Sequence, residues 1–279
     1  MAFLPLRALP PQPQAALAEA WIGRIAERLQ DAHCDRISLC RDALLELAWP
    51  QYAASWEDAV SDPAIPLGTR VAVSATDPRN VTLEPEYYAE CDDARFQQVK
   101  PLLWLWYSFD RLPAGGQNVD LGVRLRRVLA RHIFRRCGAN FKCFQFVEFS
   151  FGYNLEVGDD VVVHRNVLLD DRGGIVIGNR VSISDHANVY SHTHSIVDAR
   201  DVTDAVTVIE DDVRITYHAT ILAGVRVGEQ SMVGAMAVAT KDVRPYHVNV
   251  GIPAKSVRVK PTAPSSAHIL STADKRRRG

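Results

Sequence analysis

Between Phe151 and Pro245 an aliphatic residue returns every six residues, each time followed by a small or polar residue and a turn-forming pair. Val157-Gly-Asp-Asp-Val-Val, Ile177-Gly-Asn-Arg-Val-Ser, Ile209-Glu-Asp-Asp-Val-Arg and Val227-Gly-Glu-Gln-Ser-Met are examples. An amphipathic helix needs apolar residues at i, i+3, i+4 and i+7, so this period excludes one. The polar pairs Asp159-Asp160 and Asn179-Arg180 also break any long alternating strand. A short strand and a sharp corner per repeat fit, with three sides closing a coil of about 18 residues.

In such a coil the first-position aliphatics point inward and stack: Val157, Val163, Ile177, Ile183, Val189, Ile209, Ile215, Ile221, Val227 and Val233. The fifth positions, from Val161 to Ala237, are small or β-branched because they also face in, near a corner. Gly158, Gly178, Gly228 and Gly234 hold second positions, where room is expected to be short. Each coil buries its apolar face only against its neighbours.

The pattern resembles that of the hexapeptide-repeat acyltransferases over residues 138–258. The resemblance implies a mainly β fold, a left-handed parallel β-helix. It divides the chain into an N-terminal helical or irregular extension (1–137), the β-helix (138–258) and a disordered basic tail (259–279).

Composition adds limits. The formal net charge of −1 gives no general attraction to nucleic acid. No apolar run reaches the ~20 residues of a spanning helix. Prolines interrupt the first residues where a secretory leader needs an unbroken apolar stretch. The five cysteines form no CxxC pair, so reduced thiols and a cytoplasmic setting are expected.

Residues 1–13 read as a loose proline-rich arm. Residues 14–49 read as helical, with Leu17, Trp21, Ile25 and Leu29 four apart. The proline-rich stretch 62–86 reads as loops, with a short strand at Arg70–Ala75. Residues 123–136 form a basic amphipathic helix. Such a helix is compatible with an anionic membrane surface, but packing on the β-helix with its arginines solvated is preferred. The extension would cap the first coil or bind an acceptor or partner.

After Val189 the repeat falters at Tyr190-Ser191-His192-Thr193-His194, and it resumes only at Ile209. A loop leaving a rigid scaffold beside two histidines is a natural place for a site. In maltose- and galactoside-type O-acetyltransferases a catalytic histidine falls in a segment matching Ser191-His192-Thr193. The resemblance therefore implies His192 as general base, with His194 second. Histidine titrates near neutrality and suits removal of a hydroxyl proton.

Counting back one coil, with a two-residue insert at Gly173-Gly174, puts Asp170 and Asp171 beside His192. The family's acceptor-binding carboxylate matches Asp171. Its asparagine falls at His164, a departure, with Asn166 as a nearby substitute. The tail signature Ala239-Thr-Lys-Asp-Val-Arg-Pro-Tyr, then Gly251-Ile-Pro-Ala-Lys, resembles the acetyl-CoA-binding branch. That implies small residues Ala223, Gly234 and Ala235 along the pantetheine arm. It also implies Lys241, Lys255 and Arg258 at the coenzyme phosphates.

The resemblance further implies a homotrimer with sites between subunits. Arg214, Thr216 and Met236 depart from the family pattern and would reshape the coenzyme groove. The expected function is transfer of acetyl from acetyl-CoA to the hydroxyl of a sugar, glycan or other small acceptor, with no metal. Two other readings stand beside it. One is a non-catalytic β-helix scaffold. The other is a zinc hydratase like the γ-type carbonic anhydrases, drawing on His164, His186, His192, His194 and His218, although no pair has the expected i+5 spacing.

Overall fold

The computed structural model describes residues 5–6, 13–53, 55–115, 117–198 and 200–265. Contacts divide the chain into a helical unit, residues 5–133, and a β unit from Phe134 onward.

The helical unit contains α1 (Pro13–Gln30), α2 (Arg36–Ala48), α3 (Trp56–Ser61), α4 (Leu67–Ser74), α5 (Pro85–Glu90), α6 (Asp93–Asp110) and α7 (Val119–Ile133). Asp35 caps α2 by accepting from the Ile37 and Ser38 amides. In α1, Ile25 and Leu29 are buried as expected, but Leu17 is 68% exposed, and Ala18 and Ile22 face the core instead.

The stretch Arg70–Ala75, expected as a strand, lies almost wholly in α4. Alternation over six residues is too short to distinguish the periods: Val73 is buried while Val71 is exposed. α7 packs on α6 and α1. Its arginines are not all solvated: Arg126 is buried and ion-paired with buried Asp110. A buried charge persists only when paired in this way.

The β unit is a parallel β-helix. The first coil carries β1 (Arg136–Cys137), β2 (Lys142–Cys143) and β3 (Glu148–Phe149). The second carries β4 (Leu155–Val157), β5 (Val162–Val163) and β6 (Leu168–Asp170). The third carries β7 (Ile175–Ile177), β8 (Ser182–Ile183) and β9 (Asn188–Tyr190).

Strands β10 (His192–His194) and β11 (Val202–Asp204) then leave the coil as an antiparallel hairpin. The fourth coil has β12 (Thr207–Ile209), β13 (Arg214–Ile215) and β14 (Thr220–Ile221). The fifth has β15 (Arg226–Val227), β16 (Met232–Val233) and β17 (Val238–Ala239). β18 (His247–Val250) adds to β16, and antiparallel β19 (Lys255–Val259) covers that edge.

The first-position residues from Val157 to Val233 are fully buried, as the repeat requires. Fully burying a Val or Ile contributes ~1.5–3 kcal/mol. The coil length, however, is not a uniform 18. Pairs such as Cys137↔Val157 and Val157↔Ile177 step by 20 residues, Ile177↔Ile209 steps by 32 across the hairpin, Ile209↔Val227 steps by 18, and Met232↔Val248 steps by 16. The extra residues sit at one corner, residues 150–154 and 170–174, between the third side and the next coil.

The other two corners are regular. Each carries a ladder of residues with positive φ: Asn140, Asp160, Arg180, Asp212, Gln230 and Tyr246 on one, and Phe146, Asn166, His186, His218 and Met236 on the other. At the second-position Gly158, an added Cβ would lie 2.7 Å from the Gly178 carbonyl carbon. The expected shortage of room is therefore contact between stacked backbones.

Residues 1–4 and 7–12 of the expected arm, and 266–279 of the expected disordered tail, lie outside the described residues. The start of that tail is ordered: Val259 ends β19 and the Lys260 amide donates to the Tyr246 carbonyl.

Candidate active site

The irregular corner gathers side chains from three successive coils. Phe149 pairs with Leu169, and Asp170 pairs with Tyr190. Ser150, Asp170 and the root of β10 therefore stack above one another.

Asp170 is buried, and its Oδ2 is bonded to Nδ1 of His192. Its Oδ1 accepts from Ser150 Oγ at 2.5 Å. Its backbone carbonyl accepts from Ser191 Oγ at 2.6 Å, and that hydroxyl accepts from the Gly173 amide at 2.9 Å. The carboxylate is thus held on both oxygens and the backbone beneath it is pinned. A carboxylate on Nδ1 fixes the tautomer with Nδ1–H, leaving Nε2 with its lone pair. The His192 side chain is 15% exposed, enough to meet a small molecule at one nitrogen.

His192 and His194 share one face of β10, as residues two apart on a strand do. Their rings are 5.2 Å apart and nearly perpendicular. His194 lies at the exposed end of the strand, whereas His192 is the one seated on a buried carboxylate.

Asp171 is placed differently from the expectation. It is fully buried, accepting the Phe151 amide at Oδ1 (2.8 Å) and the Asn154 amide at Oδ2 (3.0 Å). Burial pushes its carboxyl up to about 6 against those amides, which favour the charged form. Both oxygens face the backbone of the preceding coil, so Asp170, not Asp171, is the carboxylate at the histidine.

The hairpin root fits between glycines. A Cβ on Gly173 would lie 2.4 Å from the Ser191 carbonyl oxygen and 2.7 Å from the Ala205 nitrogen. A Cβ on Gly224 would meet Ala205 Cβ at 3.0 Å. Thr207, buried where the chain re-enters the coil, donates to the Tyr190 carbonyl at 2.6 Å.

The remaining expected residues fall into two groups. Ala223 and Lys241, which follow the paired strands β14 and β17, lie at the same corner as His192. His164, Asn166, Gly234 and Ala235 lie at the regular corner between the second and third sides. There His164 stacks on Phe144 at 5.1 Å, and burial lowers its pKa. Lys255 and Arg258 are exposed on β19.

Gly234 packs under Val250, which pairs with Lys255. Ser150 and Ser191 were not expected from the sequence. The one signal was the 20-residue step that aligns Ser150 with Asp170.

No family model matches the chain. A Staphylococcus aureus (strain MRSA252) protein named as an acetyltransferase is 30% identical over 138 residues, 48% of this chain and 69% of that protein. The chain belongs to the hexapeptide-repeat acetyltransferases. The galactoside O-acetyltransferase of Escherichia coli (strain K12) is 29% identical to this acetyltransferase over 140 residues, 49% of this chain and 69% of that one.

Among solved structures, a hexapeptide-repeat acetyltransferase from Vibrio cholerae O1 biovar eltor, complexed with acetyl coenzyme A, has a TM-score of 0.51. It is 28% identical, and the match covers 60% of this chain and 87% of that one. A galactoside acetyltransferase in complex with coenzyme A, at TM-score 0.51 and 21% identity, shares the fold; the match covers 64% of this chain and 92% of that one. Among the described residues of this acetyltransferase, no helix is long and apolar enough to cross a membrane.

Proposed function

We propose that the chain transfers acetyl from acetyl-CoA to a hydroxyl of a sugar, glycan or similar small acceptor, with His192 as general base. The observation that carries this is the Asp170–His192 pair, with Asp170 anchored by Ser150 and Nε2 left for a substrate. Nε2 takes the acceptor's hydroxyl proton as its oxygen attacks the thioester carbonyl. The tetrahedral intermediate collapses by breaking the C–S bond. The departing thiolate takes the proton from the imidazolium, giving free coenzyme A thiol and the acetyl ester.

The sugar-like acceptor is inferred from the galactoside O-acetyltransferase relative. The acetyl donor is inferred from the complexed neighbour. Asp171 supports the corner and does not reach the acceptor in this reading.

A homotrimer belongs to the same proposal. His164, Asn166, Gly234 and Ala235 occupy a different corner from His192. A second copy presenting that corner would let both groups serve one site, with Lys241 of one copy and Lys255 or Arg258 of another near the coenzyme phosphates. A cytoplasmic setting, where Cys40 and Cys143 stay reduced, completes it.

The test is thiol release from acetyl-CoA with a panel of hydroxyl acceptors. His192→Ala should lower turnover by about 10²–10⁴-fold. Release that survives this change would sink the assignment. Absence of release with every acceptor in the panel would favour a scaffold role. Light scattering showing a monomer would overturn the intersubunit site.

A further inference from the structure

Ser150 lies on the first coil, outside the part of the chain where the repeat can be read, and is 6% exposed. Its hydroxyl is 2.5 Å from Asp170 Oδ1, on the oxygen opposite the one bonded to His192. A carboxylate with one oxygen unengaged can rotate about its Cβ–Cγ bond and offer either oxygen to the imidazole. A donor fixed to Oδ1 removes that freedom and draws charge away from Oδ2.

The placement of Ser150 is built into the backbone. The Phe149↔Leu169 register holds the two adjacent residues one above the other, and the neighbouring Phe151 amide is tied to Asp171 Oδ1 at 2.8 Å. Asp170 is thus flanked by two fixed attachments to the preceding coil.

We infer that Ser150 is a positioning residue for acyl transfer: it aligns Asp170 and thereby sets the orientation and basicity of His192. This rests on His192 acting as the base. Ser150 is buried and its hydroxyl is bonded to Asp170, so its removal should act through the histidine.

The experiment uses the full chain, with acetyl-CoA and whichever acceptor supports thiol release. Ser150→Ala should lower kcat by up to about tenfold, the size of one net hydrogen bond, with KM for acetyl-CoA unchanged. The acidic limb of the kcat/KM profile should move to higher pH, because an Asp170 without its donor holds the imidazolium more strongly. Ser150→Thr, which keeps the hydroxyl, should restore both. If Ser150→Ala does not fold, Ser150→Cys, nearly isosteric and a weak donor, carries the same expectation. The Nδ1 proton resonance of His192 should shift in either variant.

A lower melting temperature with kcat, pH profile and resonance unchanged would overturn the inference. The two failures are distinguishable. Activity in His192→Ala defeats the base assignment, whereas an inactive His192→Ala beside an unaltered Ser150→Ala defeats only the role of Ser150.

Discussion

Asp170 Oδ2 is bonded to Nδ1 of His192 across adjacent coils, and the carboxylate carrying that bond is buried. Replacing Asp170 with Asn keeps the size but presents either a neutral oxygen or an NH₂ donor to Nδ1, which weakens the base or reverses its tautomer. Turnover of Asp170→Asn should fall by roughly 10²-fold, with the fold retained by circular dichroism. A variant as active as the parent would separate the pair from the chemistry.

Asp171 gives a pH dependence of stability. Its carboxyl is raised from 3.8 to about 6 by burial, so the folded chain holds that proton more tightly than the unfolded chain does. Its contribution is complete below about 3.8 and is lost as pH rises through about 6. The difference is on the order of 2–3 kcal/mol. Urea midpoints measured from pH 4 to 7 should show this decline in the parent and a flatter profile in Asp171→Asn. Parallel profiles would refute it.

The inward stack predicts a large loss from truncation. Ile215 is fully buried between Ile183 and Val233. Ile215→Ala should destabilise the chain by about 2–5 kcal/mol, read as a lower denaturation midpoint. A change under ~1 kcal/mol would mean that the coils relax into the space.

Gly158 predicts the opposite fault, overpacking. A Cβ there lies 2.7 Å from both Asn179 Oδ1 and the Gly178 carbonyl carbon. Gly158→Ala should cost about 1–3 kcal/mol despite the gain in helix and strand propensity usual for that change. An unaltered melting temperature would show that the coils can separate there.

Met236 predicts a stabilising change. It holds φ 61°, and the residue is 61% exposed. The left-handed region costs a typical residue about 1–2 kcal/mol, and Asn tolerates it better. Met236→Asn should raise the melting temperature. If stability falls, the exposed thioether has a partner outside the isolated chain.

The β-helix was legible because inward stacking writes itself as a period, an aliphatic every six residues. The first coil was not, because Cys143 and Phe149 take the places of aliphatics there and the count begins only at Val157. Ser150 was lost with that coil. His192 stood out because the repeat stops at it.

Choosing between Asp170 and Asp171 needed coordinates. Neighbouring residues at a corner point opposite ways, and one turns to the histidine while the other turns to backbone amides. In the helical unit, three-dimensional pairing overrode local pattern: the charge on Arg126 reads as solvent-facing until Asp110, 16 residues earlier, is seen to meet it.

The irregular corner is also where the chain has changed length, by two residues at 150–154 and 170–174 and by a whole hairpin before Thr207. Such insertions leave the inward aliphatics in register, because each begins and ends at the same edge. That edge behaves as a splice point. Segments of other lengths grafted between His194 and Val202 would alter what reaches His192 while the columns of valine and isoleucine stay as they are, so new acceptor preferences can be tried without rebuilding the scaffold.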